Sequence, residues 1–124
     1  PTDAEWTTLE EYLIANGYNY DGTTTGNKIA KSMASTTGWN SAAEIGEIGN
    51  DQSLNNDSGF NAFPEGCRCY GGYFNLEGFS TYFWSSTEVS PNYGWSFFLD
   101  NGNDNVLYSN FYRHDGFSVR FVKD

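Results

Sequence analysis

Apolar positions along this chain keep two periods, one in each half. In "PTDAEWTTLEEYLIANG" Trp6, Leu9 and Leu13 fall on one stripe of a helix. Thr2 and Glu5 fit a capping box, Asp3 and Glu5 suit the positive end of the first turn, and Asn16-Gly17 supplies a stop. The spacing predicts a helix over 3–16. After the turn-rich "YNYDGTTTG", the run "NKIAKSMAS" sets Ile29, Ala30, Met33 and Ala34 on one face of a short second helix, with Trp39 packing beneath it. From Asn40 to Pro64 Gly, Asn, Asp and Ser dominate, which predicts a loop. A loop of that length in a compact domain points to function or to a fold with large insertions.

The second half is built from short aromatic runs: "RCYGGYF", "TYFWSST", "YGWSFFLD", "NVLYS" and "FSVRFV", separated by Gly, Pro, Asn and Asp. They predict antiparallel strands. Helices first and strands later make an α+β domain, two N-terminal helices followed by a twisted antiparallel sheet with long loops. In "GFSVRFV" the alternation puts Phe117, Val119 and Phe121 on the buried face of a closing strand. In "GWSFFLD" Trp95, Phe97 and Leu99 face the core while Ser96, Phe98 and Asp100 face out. Phe74, Phe83 and Trp84 are assigned to the core as well. By contrast, "LYSNFYRHD" keeps no period, yet mixes Tyr108, Phe111 and Tyr112 with Ser109, Asn110, Arg113, His114 and Asp115.

Composition narrows the function classes. At 124 residues the chain is one domain, and a formal net charge of −10 argues against nucleic-acid partners and anionic membrane surfaces. No apolar run is long enough for membrane insertion as a helix, and the abrupt "PTDAEW" start fits a mature or trimmed product. Cys67 and Cys69 would share a face on a strand, where a bridge between them strains the geometry. They make no disulfide framework, and C-x-C is far short of a zinc site. His114, the one histidine, has only the adjacent Asp115 in sequence, so a solvent-facing or ligand-contacting role is expected rather than a catalytic one. Glu10 and Glu11 read as a solvated helix face, and Asp100 and Asp104 as flanks of the "NGN" turn.

"PTDAEWTTLEEYL", "GNDQSLNNDSGFNA", "WSSTE" and "GFSVR" together resemble the Fibrobacter succinogenes major paralogous domain, a family of bacterial surface and secreted proteins. The resemblance covers essentially the whole chain. It implies a C-type-lectin-like fold, related to that of formylglycine-generating (sulfatase-modifying) enzymes, and an extracellular or cell-surface location, or one on a phage particle. Family members usually carry a further segment before "LPTDAEW", so the resemblance also implies a trimmed copy.

Some members of this family are targets of diversity-generating retroelements, which rewrite adenines so that Asn codons become other residues. Between Cys67 and Asp115 the irregular positions hold Cys, Tyr, Phe, Ser, Leu, His, Asp and Asn, all reachable from an Asn codon, and Lys, Gln and Met are absent. Glu88 belongs to the "WSSTE" skeleton; Glu77 lies outside the pattern. The resemblance thus implies a non-enzymatic binding or adhesion domain with a variable face for a protein or glycan ligand. Exposed Tyr with Ser and Asn suits such a face. The candidate face is Tyr70, Tyr82, Tyr93, Ser96, Phe98, Asp100, Tyr108, Phe111, Tyr112 and His114. No cofactor is needed.

Two alternatives stay open. One is a calcium-dependent carbohydrate module, since "SPN" at 90–92, "NDN" at 103–105 and the Asn50–Asp57 loop offer oxygen ligands without a regular calcium-loop spacing. The other is an oxidoreductase related to the formylglycine-generating enzymes, with copper(I) on Cys67 and Cys69, although that cysteine pair lies outside the matching context.

Overall fold

Helix α1 runs Asp3–Ala15 in the computed structural model, which describes residues 1–123. The capping box forms as the sequence predicts. Thr2 N–H donates to Glu5 Oε2 at 2.7 Å, and Glu5 N–H donates back to Thr2 Oγ1 at 3.2 Å. These bonds, the backbone one foremost, hold the Glu5 carboxyl below its usual range. Trp6 and Leu13 are buried with Leu9 packed beside them. Glu10 is not the solvated residue expected: it is half-buried, and burial, then Glu11, pushes its carboxyl up.

The second predicted helix amounts to one turn, α2 (Ala30–Met33). Long-range pairing stops it. Ala34 makes a parallel bridge with Ala62, and Ser35 N–H donates to Ala62 O at 2.8 Å, so the chain goes extended where a helix would continue. Trp39 is buried nearby, its indole N–H on Ser35 Oγ at 3.1 Å.

The long 40–64 segment is loop apart from a 3-10 turn at Gln52–Leu54, and one side chain organises it. Lys31 Nζ donates to Glu47 O, Asn50 O, Asp51 O and Asn55 Oδ1. Asn55 in turn donates to Ser35 O and Ile48 O at 2.9 and 3.2 Å. Burial pushes the Lys31 ammonium pKa down, and Asp51 opposes the shift. Four oxygens around a buried ammonium repay its desolvation and order a segment with little apolar content.

Two antiparallel sheets follow. Strands β1 (Cys67–Arg68) and β2 (Phe74–Asn75) form a small hairpin. Its approach turns on Gly66 at φ +68°, where a Cβ would meet Asn75 O at 2.1 Å. Strands β3 (Ser80–Ser90), β4 (Tyr93–Asp100) and β5 (Leu107–Tyr112) form a meander in that order. The chain is α+β, one helix with antiparallel sheets.

Register decides which aromatics meet. Phe83 pairs with Phe97 and Phe97 with Tyr108, so these share the face toward α1, where Trp6 stacks on Phe97 at 4.3 Å. Ile29, Met33, Ile48 and Leu99 complete this core. Tyr82 pairs with Phe98, and with Trp84 and Phe111 they occupy the opposite face.

The terminal "GFSVRFV" departs from expectation and adds no full strand. Gly116 bridges Arg68, Ser118 makes a single parallel bridge with Phe83, and the chain then leaves the sheet. Phe117 covers apolar surface, stacking on Tyr82 at 4.6 Å and Trp84 at 4.5 Å. Val119 is exposed and Phe121 is 93% exposed, against the predicted burial of both. Arg120 takes over beyond that point, donating to Phe60 O at 3.0 Å with its guanidinium 4.6 Å from the Phe60 ring centre. Phe74, assigned to the core, is 83% exposed because β2 is a two-residue edge with nothing packed over it. Among the described residues no helix is long and apolar enough to cross a membrane.

Candidate ligand-binding face

Small residues make room for the outer aromatic layer. Ser96 pairs with Trp84 and Ser109, and Gly94 pairs with Phe111. A Cβ on Gly94 would lie 3.1 Å from the Trp84 ring. Trp84, Phe111 and Phe117 can therefore lie over the sheet, with Phe111 edge-on to Tyr82, Phe98 and Phe117 at 5.2–5.7 Å.

At one end of this layer three tyrosines line up at the surface. Tyr93 and Tyr112 are register partners with rings 4.6 Å apart, and Tyr70, on the hairpin between β1 and β2, reaches Tyr112 at 5.4 Å. Tyr70 is 66% and Tyr112 44% exposed. A hydrogen bond with Tyr112 pushes the Tyr93 phenol up. Arg113 braces this end, its Nε on Tyr93 O at 3.3 Å and a guanidinium nitrogen 3.0 Å from the Glu88 carboxylate. Beside the row opens a pocket of about 300 Å³, walled by Tyr70, Tyr73, Tyr82, Phe111, Phe117 and Asp115.

Several residues assigned to the face lie elsewhere. Ser96 is fully buried under the aromatic layer, and its hydroxyl donates to Phe83 O at 3.2 Å, so the outward orientation expected for it is corrected. Tyr82 is only 8% exposed and forms the pocket floor; burial foremost, with the Asp100 and Asp115 charges, pushes its phenol up against an opposing hydrogen bond with Ser80. Phe98 is half-buried against Tyr82 at 5.2 Å. Asp100 is at the far end of β4, accepting from Ser80 Oγ at 3.0 Å and Gly102 N–H at 3.2 Å, which makes it a turn-stabilising residue.

Tyr108 points to the α1 side, donating to Asp3 Oδ1 at 3.3 Å; burial, then the Asp3 charge, drives its phenol far above the usual range. A Tyr that must face α1 cannot serve the opposite surface. His114 is exposed on the turn after β5. The residues brought together are thus Tyr70, Tyr93 and Tyr112 at the surface, with Tyr82 and Phe111 beneath. Sequence reasoning missed Asp115, Tyr73 and Phe117 as pocket walls. The one available signal was the "YGGY" turn, whose two tyrosines flank a glycine pair.

The cysteines correct a further expectation: Cys67 and Cys69 are joined in a disulfide. The backbone is folded in at Arg68, between the two cysteines, which brings their Cα atoms to 5.3 Å. As a disulfide the pair presents no thiolate to copper.

The oxygen ligands considered for calcium do not converge. "SPN" precedes β4 and "NDN" follows it, about 25 Å apart along an extended strand. In the Asn50–Asp57 loop the Lys31 ammonium already takes the inward backbone oxygens. Among the described residues no group of three or more His, Cys, Asp or Glu is placed to hold a metal ion.

The architecture defines an α+β domain whose meander carries aromatic residues on both faces. Residues 1–123 match the family model of the Fibrobacter succinogenes major domain, and the chain belongs to that family, as its four motifs implied. No curated protein and no solved structure matches it.

Proposed function

We propose that this chain is a non-catalytic ligand-binding or adhesion domain of C-type-lectin-like fold, working outside the cell or on a cell or phage surface. The observation that carries the reading is the row Tyr70–Tyr112–Tyr93, its first two rings exposed and Tyr93 half-buried, beside an aromatic-walled pocket. Tyrosine offers broad amphipathic contact area with little rotamer entropy to lose, and a pocket beside it supplies the desolvated centre that tight contacts need. The disulfide suits an oxidising compartment. Retroelement diversification fits too, because all three tyrosines sit at strand ends or in a turn, where substitution leaves the core packing intact.

The test is direct. Immobilised domain is screened against glycan arrays and bacterial surface proteins, and every ligand is rescreened with Tyr70→Ala, Tyr93→Ala and Tyr112→Ala. A ligand lost in two or more variants, all folded by circular dichroism, supports the reading. Ligands bound equally well by the three variants would move the site away from this face.

A further inference from the structure

We infer that the pocket beside the tyrosine row takes a primary ammonium group, the side chain of a lysine presented by a protein partner. The inference rests on the binding-face reading and narrows it to one ligand chemistry.

Asp115 carries the argument. It lines the pocket, and its Oδ1 is buried with no hydrogen-bond partner among the described residues. Neither of the chain's two described ion pairs involves it. A carboxylate oxygen out of water and without a donor is costly, and an N–H or O–H brought into the pocket relieves that cost once the Asp115 side chain turns toward it.

The walls say which donor. Tyr70, Tyr73, Tyr82, Phe111 and Phe117 present ring surface, which attracts a cation and accommodates its alkyl stem. A sugar ring could use the tyrosine hydroxyls as well, but the one charged group of this pocket is the Asp115 carboxylate, which favours a cation. A quaternary ammonium would suit the rings but has no hydrogen to give Asp115. The primary ammonium satisfies both. The net charge of −10 adds a long-range field that draws a basic partner.

The experiment titrates isotopically labelled domain with N-acetyl-lysine amide, N-acetyl-norleucine amide, N-acetyl-trimethyllysine amide and methyl α-mannoside, following amide shifts around Tyr70–Tyr73 and Phe111–Phe117. Expected is saturable binding of the lysine compound, at least about tenfold tighter than norleucine, lost by about tenfold in Asp115→Asn and weakened by added salt. Asp115→Asn keeps the side-chain shape, and its amide spectrum confirms the fold. Equal binding of norleucine and lysine overturns the ammonium assignment and leaves the aromatic face standing. Preference for trimethyllysine or mannoside overturns it in favour of that chemistry. Absence of binding by all four overturns it too, and the array screen with the tyrosine variants then judges the face separately.

Discussion

Trp6 and Tyr112 are both large aromatics, but they differ in what their removal leaves behind. Trp6 stacks on Phe97 in a closed core, while the Tyr112 ring packs with those of Tyr70 and Tyr93 at the surface. Phe97→Ala is expected to cost about 3–5 kcal/mol in urea unfolding, and Tyr112→Ala less than about 1 kcal/mol. Comparable losses would overturn the division between core and face. At the first loop, Asp21 and Lys28 pair at 2.5 Å, and the Lys28 hydrogen bond foremost lowers the Asp21 carboxyl to about 2. A carboxyl lowered on folding stabilises above its unfolded value of 3.8 and loses that contribution as pH falls toward 2. Between those values Asp21→Asn should flatten the pH dependence of melting slightly, a change read by comparing melting curves of the two proteins. An unchanged slope would mean that the pair is open in solution.

Among the elements, the 40–64 loop depends most on one residue. Lys31→Met keeps the stem and removes the ammonium, leaving Asn50 O, Asp51 O and Asn55 Oδ1 without their donor. The expected cost is about 2–4 kcal/mol, with amide exchange across 47–55 accelerating before the β3–β5 meander loosens. Exchange that rises uniformly over the chain would mean that the loop has no separate dependence on Lys31. Helix α1 is more self-sufficient, since its cap, first turn and stop are all local. Thr2→Ala should remove about 1 kcal/mol through the lost cap.

For the whole molecule, the meander acts as a partition. One face packs against α1 and the loops, and the other carries an outer aromatic layer that ends in an open pocket. If this copy is diversified, sequencing the gene across its source population should find substitutions at Tyr70, Tyr93, Tyr112 and His114. Ser96 and Tyr108 should be spared although they lie in the same interval. Buried Ser96 has no room for a larger side chain beneath Trp84, and Tyr108 is tied to Asp3. Substitution at Ser96 as frequent as at Tyr112 would contradict the placement of the variable face.

Helix α1, the loop character of 40–64 and the existence of the strands were legible from sequence, because each rests on local chemistry: a capping box, turn formers, aromatic runs of strand length. Which side of the sheet each aromatic takes was not. Alternation separates inside from outside only when one face meets water, and here both faces are aromatic and covered, so Ser96 and Tyr82 followed the pattern of outward residues while being buried. The end of "GFSVRFV" was misread for a related reason, since a period of two predicts burial only where a neighbour exists to bury against. The disulfide depended on the backbone folding in at Arg68, between the two cysteines, which spacing alone does not reveal. Local composition determined the elements of this protein; tertiary packing decided which of its many aromatic rings became core and which, Tyr70 and Tyr112 among them, came to the surface.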